Sequence, residues 1–383
     1  MAEDGLRFVS KNGSTNNDGL TLDRAKPTVK AALASLPAPG GFTTGHIMIA
    51  EGKFDEDNPL TVSRTCVVEG LNSALGGFTN GTIIRRLNAG NLFQPSTSFT
   101  DWAHNLSFKN LRLEGNSTGV ADSTGALLAI EKPGFGCELV NIQFNDSAGL
   151  GLHIRQGANS LHCRNIGASG CDAGGVFLES VGTGAFGFEV EMNTVQIDNC
   201  GALPFKITMS GAAAGNFRST INLSNVEFET SSTGDHRTLL QLDNSGSDPK
   251  PLITVNGLHV IDGSNGSGKK VIAESGSDIG SWNLFNINCD QAEYSHLFDG
   301  VTEDISRTND QRSIERAFIG MYNEGASSKE TALWLGNKKI ISDPSTSAPT
   351  AVAPKGSLLQ SGNGNIYRST VASTGSSTSW ATM

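Results

Sequence analysis

Acidic residues recur at one place in a repeated pattern, and they are the first candidates for chemistry. Asp198 ends the segment TVQID, Glu229 ends the segment NVEFE, and Glu227 lies inside the latter. If the two segments are neighbouring parallel strands, about 4.8 Å apart, their carboxyl groups lie close together. Hydrolysis of a glycosidic bond uses two carboxyl groups about 5–10 Å apart, so these three residues are candidate catalytic residues. The alternative is a solvated polar face, because outward strand positions are normally polar.

Seven segments carry this pattern, in which Asn or a small residue precedes apolar-x-apolar. Their starting positions are separated by 31, 24, 29, 31, 32 and 29 residues, and the segments are NLRL (110–113), NIQF (141–144), NIGA (165–168), TVQI (194–197), NVEF (225–228), GLHV (257–260) and NINC (286–289). The same outward position that Glu227 holds is taken by His259 one repeat later, which makes His259 a candidate glycan-binding residue. The leading Asn residues are expected to stack as a ladder at one corner, which is a structural role.

Two further sets of strand-like segments share the period. One set follows each segment after a polar turn, as in LAIE (128–131), and the other precedes the next segment, as in FEVE (188–191). Three short strands for each repeat, with turns between them and no helix, are typical of a coil of a parallel β-solenoid. The stretch from 46 to 71 is then the first coil.

The second set of strands places charges of alternating sign in one column. Glu131, Arg155 and Glu179 hold equivalent positions in three successive repeats. Exposed ion pairs contribute only about 0–1 kcal/mol each, so the column favours register and solubility, with recognition of charged sugars as the alternative. His236 lies in SSTGDHRT, within the longest gap of this set, where a projecting loop is expected to shape a glycan-binding groove.

Composition excludes several classes of protein. The net charge of −10 and a pI near 5.2 disfavour a nucleic-acid partner, which needs a basic face. No apolar run approaches the roughly 18 residues of a membrane span, and the first residues lack the features of a signal peptide. We therefore expect a soluble chain made in a cytoplasm. The six cysteines form no C-x-x-C pair, so no metal site is predicted and the thiols are expected in the core.

The N-terminal segments resemble a known superfamily. FVSKNGSTNNDGLT, TVKAALASLPAPGG, HIMIAEGKFDEDNPLTV and TCVVEG resemble the entry strand, capping helix and first coil of pectate-lyase-like right-handed parallel β-helix proteins. LDRAKPTVKAALASLP (22–37) is itself amphipathic and predicts one helix that covers the end of the solenoid. The resemblance implies a fold but no single chemistry, because the superfamily includes lyases, hydrolases and non-enzymatic binders.

The C-terminal segment resembles a different group of proteins. After the Pro-rich linker DPSTSAPTAVAPKG, the segment GSLLQSGNGNIYRSTVASTGSSTSWATM resembles the small terminal β-module of bacteriophage tail fibres and tailspikes, on Gly356, Ser357, Tyr367 and Trp380. This implies a homotrimer, other phage tail proteins as partners, and a virion location after assembly in the host cytoplasm. One departure is that tailspikes usually begin with a distinct virion-anchoring domain, whereas this sequence is expected to enter the β-helix almost at once.

These observations predict an all-β protein of four parts. They are an N-terminal strand and capping helix (1–45), a right-handed parallel β-helix of three-strand coils (46–300), trimerisation or connecting strands (301–345) and a small β-module (346–383). The favoured function is a phage tailspike or tail fibre that recognises, and is a candidate to depolymerise, a host surface polysaccharide. The alternatives are a free-standing bacterial polysaccharide lyase or hydrolase and a non-enzymatic virion fibre. No cofactor is predicted, although Ca²⁺ is an alternative to Arg155 for neutralising an anionic polymer.

Overall fold

The computed structural model describes most of the chain up to residue 299 and a set of later strands. The described ranges are 5–37, 45–62, 65–72, 81–95, 102–181, 186–201, 203–210, 219–230, 238–245, 251–262, 269–275, 281–289, 294–299, 317–321, 331–335, 338–343, 358–361, 366–369 and 380–382. From residue 281 onwards the account below concerns the backbone. Within these ranges no helix is long and apolar enough to span a membrane.

Nine coils of backbone stack on one another in the described part of the chain. The first two coils use separate strands, preceded by an edge strand, namely β1 (Leu6–Val9), β2 (Gly45–Ile49), β3 (Gly52–Glu56), β4 (Leu60–Val62), β5 (Cys66–Gly70), β6 (Thr82–Arg86) and β7 (Phe93–Pro95). The next seven coils alternate a long strand with a shorter one, namely β8 (Ser107–Glu114), β9 (Ala126–Glu131), β10 (Cys137–Ser147), β11 (Leu150–Arg155), β12 (Ala158–Cys171), β13 (Gly174–Val181), β14 (Phe188–Asp198), β15 (Phe205–Ser210), β16 (Thr220–Thr230), β17 (Thr238–Asn244), β18 (Leu252–Asp262), β19 (Lys269–Ser275), β20 (Ser281–Cys289) and β21 (Tyr294–Asp299).

Each long strand bends at one residue and so serves two faces of the stack. The bend residue has a positive φ in six successive coils, and these residues are Asn110, Asn141, Asn165, Thr194, Asn225 and Gly257. The halves before the bend, with β2 and β5, form face 1, and the halves after it, with β3 and β6, form face 2. The shorter strands form face 3.

All strand pairings between these coils are parallel, as far as the described residues extend. The chain is a right-handed parallel β-helix of three-strand coils, as predicted. The stretch from 46 to 71 supplies the strands of the first coil, as predicted, but its last part, β5, is already the first strand of the second coil. The sequence pattern does not show that the segments of faces 1 and 2 are continuous in one bent strand.

A ladder of Asn side chains connects three of the bends. Asn141 Nδ2 donates to Asn110 Oδ1 over 2.8 Å, and Asn165 Nδ2 donates to Asn141 Oδ1 over 2.8 Å. Asn tolerates the left-handed backbone conformation better than other non-glycine residues, which explains its recurrence at the bend. The predicted ladder is therefore confirmed for these coils, with amides bonded to each other, and Thr194 takes the position that follows Asn165.

Inward-facing positions fill the interior of the stack. On face 2 one column of buried apolar residues follows the register from coil to coil, and its members are Leu111, Ile142, Ile166, Val195, Val226 and Leu258. Five cysteines, namely Cys66, Cys137, Cys163, Cys171 and Cys200, are buried and unbridged, as expected for core residues. Burial raises the pKa of the Cys66 thiol to about 12. Alternation of buried and outward side chains places every polar residue discussed below on the surface of the stack.

The N-terminal helix is shorter than predicted. α1 spans Val29–Ala34, and a separate 3₁₀ turn occupies Leu22–Arg24. Pro27 precedes α1, and Thr28 caps it by accepting from Ala31 N over 3.1 Å, so the helix begins only after the proline. The buried Glu56 carboxylate of β3 accepts from the amides of Val29 and Lys30 over 2.6 and 3.2 Å. The helix therefore packs on the first coil, and its capping role stays a prediction.

The later strands leave the repeat. They are β22 (Ala317–Met321), β23 (Thr331–Leu335), β24 (Lys338–Asp343), β25 (Leu358–Ser361), β26 (Ile366–Ser369) and β27 (Trp380–Thr382). β22 pairs in parallel with β20, and β24 with β25, whereas the other successive pairings of these strands are antiparallel. The predicted boundaries at 301–345 and 346–383, and their roles, stay predictions.

Candidate functional site

The predicted acidic cluster lies on face 2 with the expected register. Asp198 pairs with Glu229 on the next coil, and Glu227 pairs with His259 one coil further. Gln196 Nε2 donates to Glu227 Oε1 over 3.1 Å, and His259 Nδ1 lies 3.6 Å from Glu227 Oε2. The sequence thus located these neighbours correctly.

The contacts of this cluster are those of a polar strand surface. Besides Gln196, the hydroxyl of Ser169 donates to Asp198 Oδ2 over 3.1 Å. Neutral donors on adjacent coils therefore solvate two of the candidate carboxylates. A catalytic role for Asp198, Glu227 and Glu229, and a glycan-binding role for His259, stay predictions.

The predicted charge column lies on face 3. Arg155 pairs with Glu131 on one side and with Glu179 on the other. The Arg155 Nε lies 4.0 Å from Glu179 Oε2, whereas Nε2 of His153 lies only 2.9 Å from the same oxygen. His153 is thus the closer partner of Glu179, and this contact was not predicted from the sequence.

His153 belongs to a packed stack on this face. Its ring lies parallel to that of Phe177, with 4.8 Å between centroids and 7° between planes, and the Nζ of Lys206 lies 5.3 Å from the Phe177 centroid. Burial lowers the pKa of the His153 imidazole below its ordinary value of 6.5, although the Glu179 carboxylate opposes this shift and the Arg155 charge adds to it. Neighbouring side chains therefore occupy both the ring face and Nε2 of this histidine.

The third predicted glycan-binding location is the loop that contains His236. His236 and the loop around it, 231–237, lie outside the described residues. Its glycan-binding role stays a prediction.

A cleft of about 450 Å³ opens on face 1, and the sequence analysis did not predict it. Trp102 and Phe186 form one wall, with ring centroids 4.6 Å apart, and the Nζ of Lys132 lies 5.4 Å from the Phe186 centroid. Polar side chains line the rest of the cleft, among them Asn159, Glu189, Glu191 and Asn222. A flat apolar wall opposite amides and carboxylates suits a ligand with one apolar face and many hydroxyl groups.

Three side chains of this cleft form a continuous chain of polar contacts. Ser160 Oγ lies 3.3 Å from Nε2 of His162, and the other ring nitrogen, Nδ1, lies 3.3 Å from Glu191 Oε2. His162 and Glu191 are register partners on β12 and β14. Ser160 has a positive φ of 64° at a register shift at the start of β12, which is an uncommon conformation for serine.

A sequence signal for part of this site existed. His162 and Glu191 each stand three residues before a bend position, in successive repeats 29 residues apart, so their register was predictable. The aromatic wall had no such signal, because Trp102 and Phe186 lie in turns between faces 3 and 1, where the repeat is irregular.

No cluster of metal ligands accompanies these sites. Among the described residues, His, Cys, Asp and Glu side chains nowhere converge in a group of three or more that could hold an ion.

Comparison with known proteins finds similarity at the level of structure. No family model and no curated protein matches the chain. A pectin methylesterase in complex with a hexasaccharide is 15% identical, with a TM-score of 0.32 over 70% of each chain. ORF18 of Geobacillus virus E2 is 10% identical, with a TM-score of 0.44 over 93% of this chain and 72% of the other. The A-module of the mannuronan C-5 epimerase AlgE6 from Azotobacter vinelandii is 10% identical, with a TM-score of 0.29 over 69% of this chain and 95% of the other.

The chain has a parallel β-helix fold. The strand register of the chain itself carries this statement. Identities of 10–15% and TM-scores below 0.5 assign no activity to the chain.

Proposed function

We propose that the chain is a bacteriophage tail protein that binds a host surface glycan in the cleft of face 1. The observation that carries the glycan-binding part is the aromatic wall of Trp102 and Phe186 opposite polar side chains. Sugar rings present an apolar C–H face, which packs on aromatic rings, and an edge of hydroxyl groups, which needs donors and acceptors.

The charges of the cleft restrict the class of glycan. Glu189 and Glu191 are exposed on its floor, and the whole chain carries a net charge of −10. Lys132 stands at the Phe186 ring, where it contributes a cation at the rim. Like charges repel at this range, so a neutral or amino-sugar polymer is the favoured ligand and a polyuronate is disfavoured.

The phage-tail part of the proposal rests on the resemblance of the C-terminal segment and on the form of the stack. A rigid stack of coils carries a binding site away from its point of attachment, and a trimer presents three copies of a weak site to one surface. Linking weak sites raises avidity by about 10²–10⁴-fold without new contacts. We therefore expect a homotrimer in the virion, assembled in the host cytoplasm with other tail proteins.

Cleavage of the glycan is a second candidate activity, and the register of Asp198 and Glu229 favours it. This pair lies on face 2, beyond the bend from the cleft, so it would act on a different part of the polymer. Asp198→Asn and Glu229→Gln are expected to abolish chain shortening, measured by size-exclusion chromatography of the polysaccharide. Unchanged shortening in both variants would leave the cluster with a structural role.

Binding is tested by titration calorimetry of the full chain with neutral bacterial polysaccharides. Trp102→Ala and Phe186→Ala are expected to weaken binding by 10-fold or more, since burying an aromatic side chain against a ligand contributes about 1.5–3 kcal/mol and about 1.4 kcal/mol is a factor of ten. Phe135→Ala is the matched control, because Phe135 is 62% exposed and does not line the cleft. If Trp102→Ala and Phe186→Ala bound the glycan as tightly as Phe135→Ala does, the assignment of the binding site to this cleft would be wrong.

The alternatives are separated by the native mass of the full chain. Light scattering is expected to give about three times 40.1 kDa. A monomer would favour a free-standing enzyme, and a trimer that binds no glycan would favour a structural fibre.

A further inference from the structure

We propose that Ser160, His162 and Glu191 form a nucleophile, base and acid that hydrolyse ester-linked acyl groups on the glycan held in the cleft. The identity of the substrate rests on the proposed function, whereas the relay rests on its own geometry. Acyl transfer by a hydroxyl group needs a base at the oxygen and a carboxylate that orients the base.

The geometry of the three side chains meets this requirement. Both ring nitrogens of His162 are engaged, Nδ1 by Glu191 at 3.3 Å and Nε2 by Ser160 Oγ at 3.3 Å. A carboxylate at Nδ1 holds the proton there and leaves Nε2 free to accept the hydroxyl proton. Distances slightly beyond an ideal hydrogen bond are usual for such groups before substrate binds.

The backbone at Ser160 is a second, independent observation. Ser160 immediately precedes Leu161, the register partner of Cys137, and Gly136 holds the equivalent position one coil earlier. Both residues have positive φ, as has Asn105, which lies beside Gly136. Glycine and asparagine are the residues that tolerate this conformation, whereas serine at the same corner is strained. Strain of this kind is common where a side chain must point into a site, and here the hydroxyl points at His162.

The reaction balances with water as the only co-reactant. Ser160 Oγ adds to the acyl carbonyl carbon as its proton moves to His162 Nε2, and the sugar oxygen leaves with that proton. Water then adds to the acyl-serine ester and gives a proton to Nε2. Ser160 Oγ leaves and regains this proton, which releases the carboxylic acid. The side-chain amide of Asn159, which lines the same cleft, is the candidate donor to the carbonyl oxygen.

Another His–Glu pair on the same face provides a control. The Nε2 of His46 lies 3.1 Å from Glu69 Oε2 on the next coil, although the register pairs His46 with Val67 and Glu69 with Met48. This pair lies outside the cleft. A substitution in it therefore shows the effect of losing a His–Glu contact between coils that has no catalytic role.

Hydrolysis of p-nitrophenyl acetate by the full chain tests the relay without any glycan. Ser160→Ala and His162→Gln are expected to lower kcat/KM by about 10²-fold or more, and Glu191→Gln by about 10-fold or more. His46→Gln is expected to keep the wild-type rate. A wild-type rate in Ser160→Ala would overturn the proposal, as would equal losses in His46→Gln.

Ser160→Gly separates a catalytic from a structural role. Glycine relieves the backbone strain, so this variant is expected to unfold at the same or a higher urea concentration while losing hydrolysis. A fluorophosphonate probe followed by peptide mass spectrometry is expected to label Ser160 in the wild type and not in His162→Gln. Absence of both hydrolysis and labelling in the wild type would overturn the relay.

Failure of the relay and failure of glycan binding are distinguishable. A wild-type chain that hydrolyses p-nitrophenyl acetate but binds no neutral polysaccharide in titration calorimetry would refute the proposed function and leave the relay standing, whereas binding without hydrolysis would refute the relay alone. Release of acetate from an O-acetylated neutral polysaccharide then requires both. A Ser160→Ala variant that still releases acetate would place the ester hydrolysis elsewhere.

Discussion

Two histidines on neighbouring faces of the β-helix make the same contact in different surroundings. His153 on face 3 and His162 on face 1 each meet a glutamate of the next coil, at 2.9 and 3.3 Å. The side chain of His153 is 17% exposed, whereas that of His162 is 55% exposed and lies in a cleft beside a hydroxyl. Contacts between His and Glu on successive coils are therefore a general consequence of the stacking. Whether such a pair can take part in catalysis depends on the solvent exposure of the histidine and on a hydroxyl group beside it.

The largest expected effect separates the two histidines by activity. His162→Gln is expected to lower ester hydrolysis by about 10²-fold or more, because it removes the base. His153→Gln is the matched control and is expected to keep the rate. Steady-state kinetics with p-nitrophenyl acetate measure both, and equal losses would show that the comparison is wrong.

Both pairs depend on the register between coils, which the Asn ladder supports. Asn165→Ala removes the hydrogen bond from the Asn165 side-chain amide to Asn141. It also leaves alanine at a position with a positive φ of 55°, which alanine disfavours. The free energy of unfolding is expected to fall by about 1–3 kcal/mol, measured by urea denaturation. Asn165→Gly also removes the side-chain hydrogen bond, but glycine tolerates the positive φ. Its free energy of unfolding is therefore expected to fall less than that of Asn165→Ala. An alanine variant as stable as the wild type would contradict this account of the ladder.

The pH dependence of stability is expected to involve His153. Its pKa is lower in the folded chain than its ordinary 6.5, so the unfolded chain binds more protons between the two values. The stabilisation is present above about pH 6.5 and is lost as the pH falls toward the lowered value. The urea midpoint of the wild type should therefore fall between pH 7.5 and 5 more steeply than that of His153→Gln. Parallel curves would mean that His153 is not perturbed.

The smallest expected effect concerns the cover of the His153 stack. Lys206 lies over the Phe177 ring at 5.3 Å, and a cation–π contact at a partly exposed site contributes about 0.5–1 kcal/mol. Lys206→Ala should reduce the free energy of unfolding by that amount, while Lys206→Arg should retain it. An unchanged free energy of unfolding for Lys206→Ala would show that the Lys206 cation does not stabilise the Phe177 ring.

The sequence predicted the features that follow the period and missed those that depend on turns. Asp198, Glu227, Glu229 and His259 were placed in correct register because apolar alternation and the bend residue mark each coil. The sequence predicts α1 too long because the amphipathic pattern includes the residues up to Pro27, whereas the helix begins only after its cap, Thr28.

The cleft shows why the remainder was not predictable. Trp102 and Phe186 meet through turns that connect face 3 to face 1, and the lengths of these turns follow no repeat. Ser160 reaches His162 through a register shift at the start of β12, which no pattern of side chains marks. The spacing of His162 and Glu191 was present in the repeat, and its significance appears only when the cleft beside it is known.

A crystal structure of the full chain with a neutral, O-acetylated oligosaccharide of a bound host polysaccharide tests the central claim most directly. We expect a sugar ring against Trp102 and Phe186, with an acyl ester directed at Ser160. An oligosaccharide bound on face 2 at Asp198 and Glu229, with the cleft empty, would contradict the account.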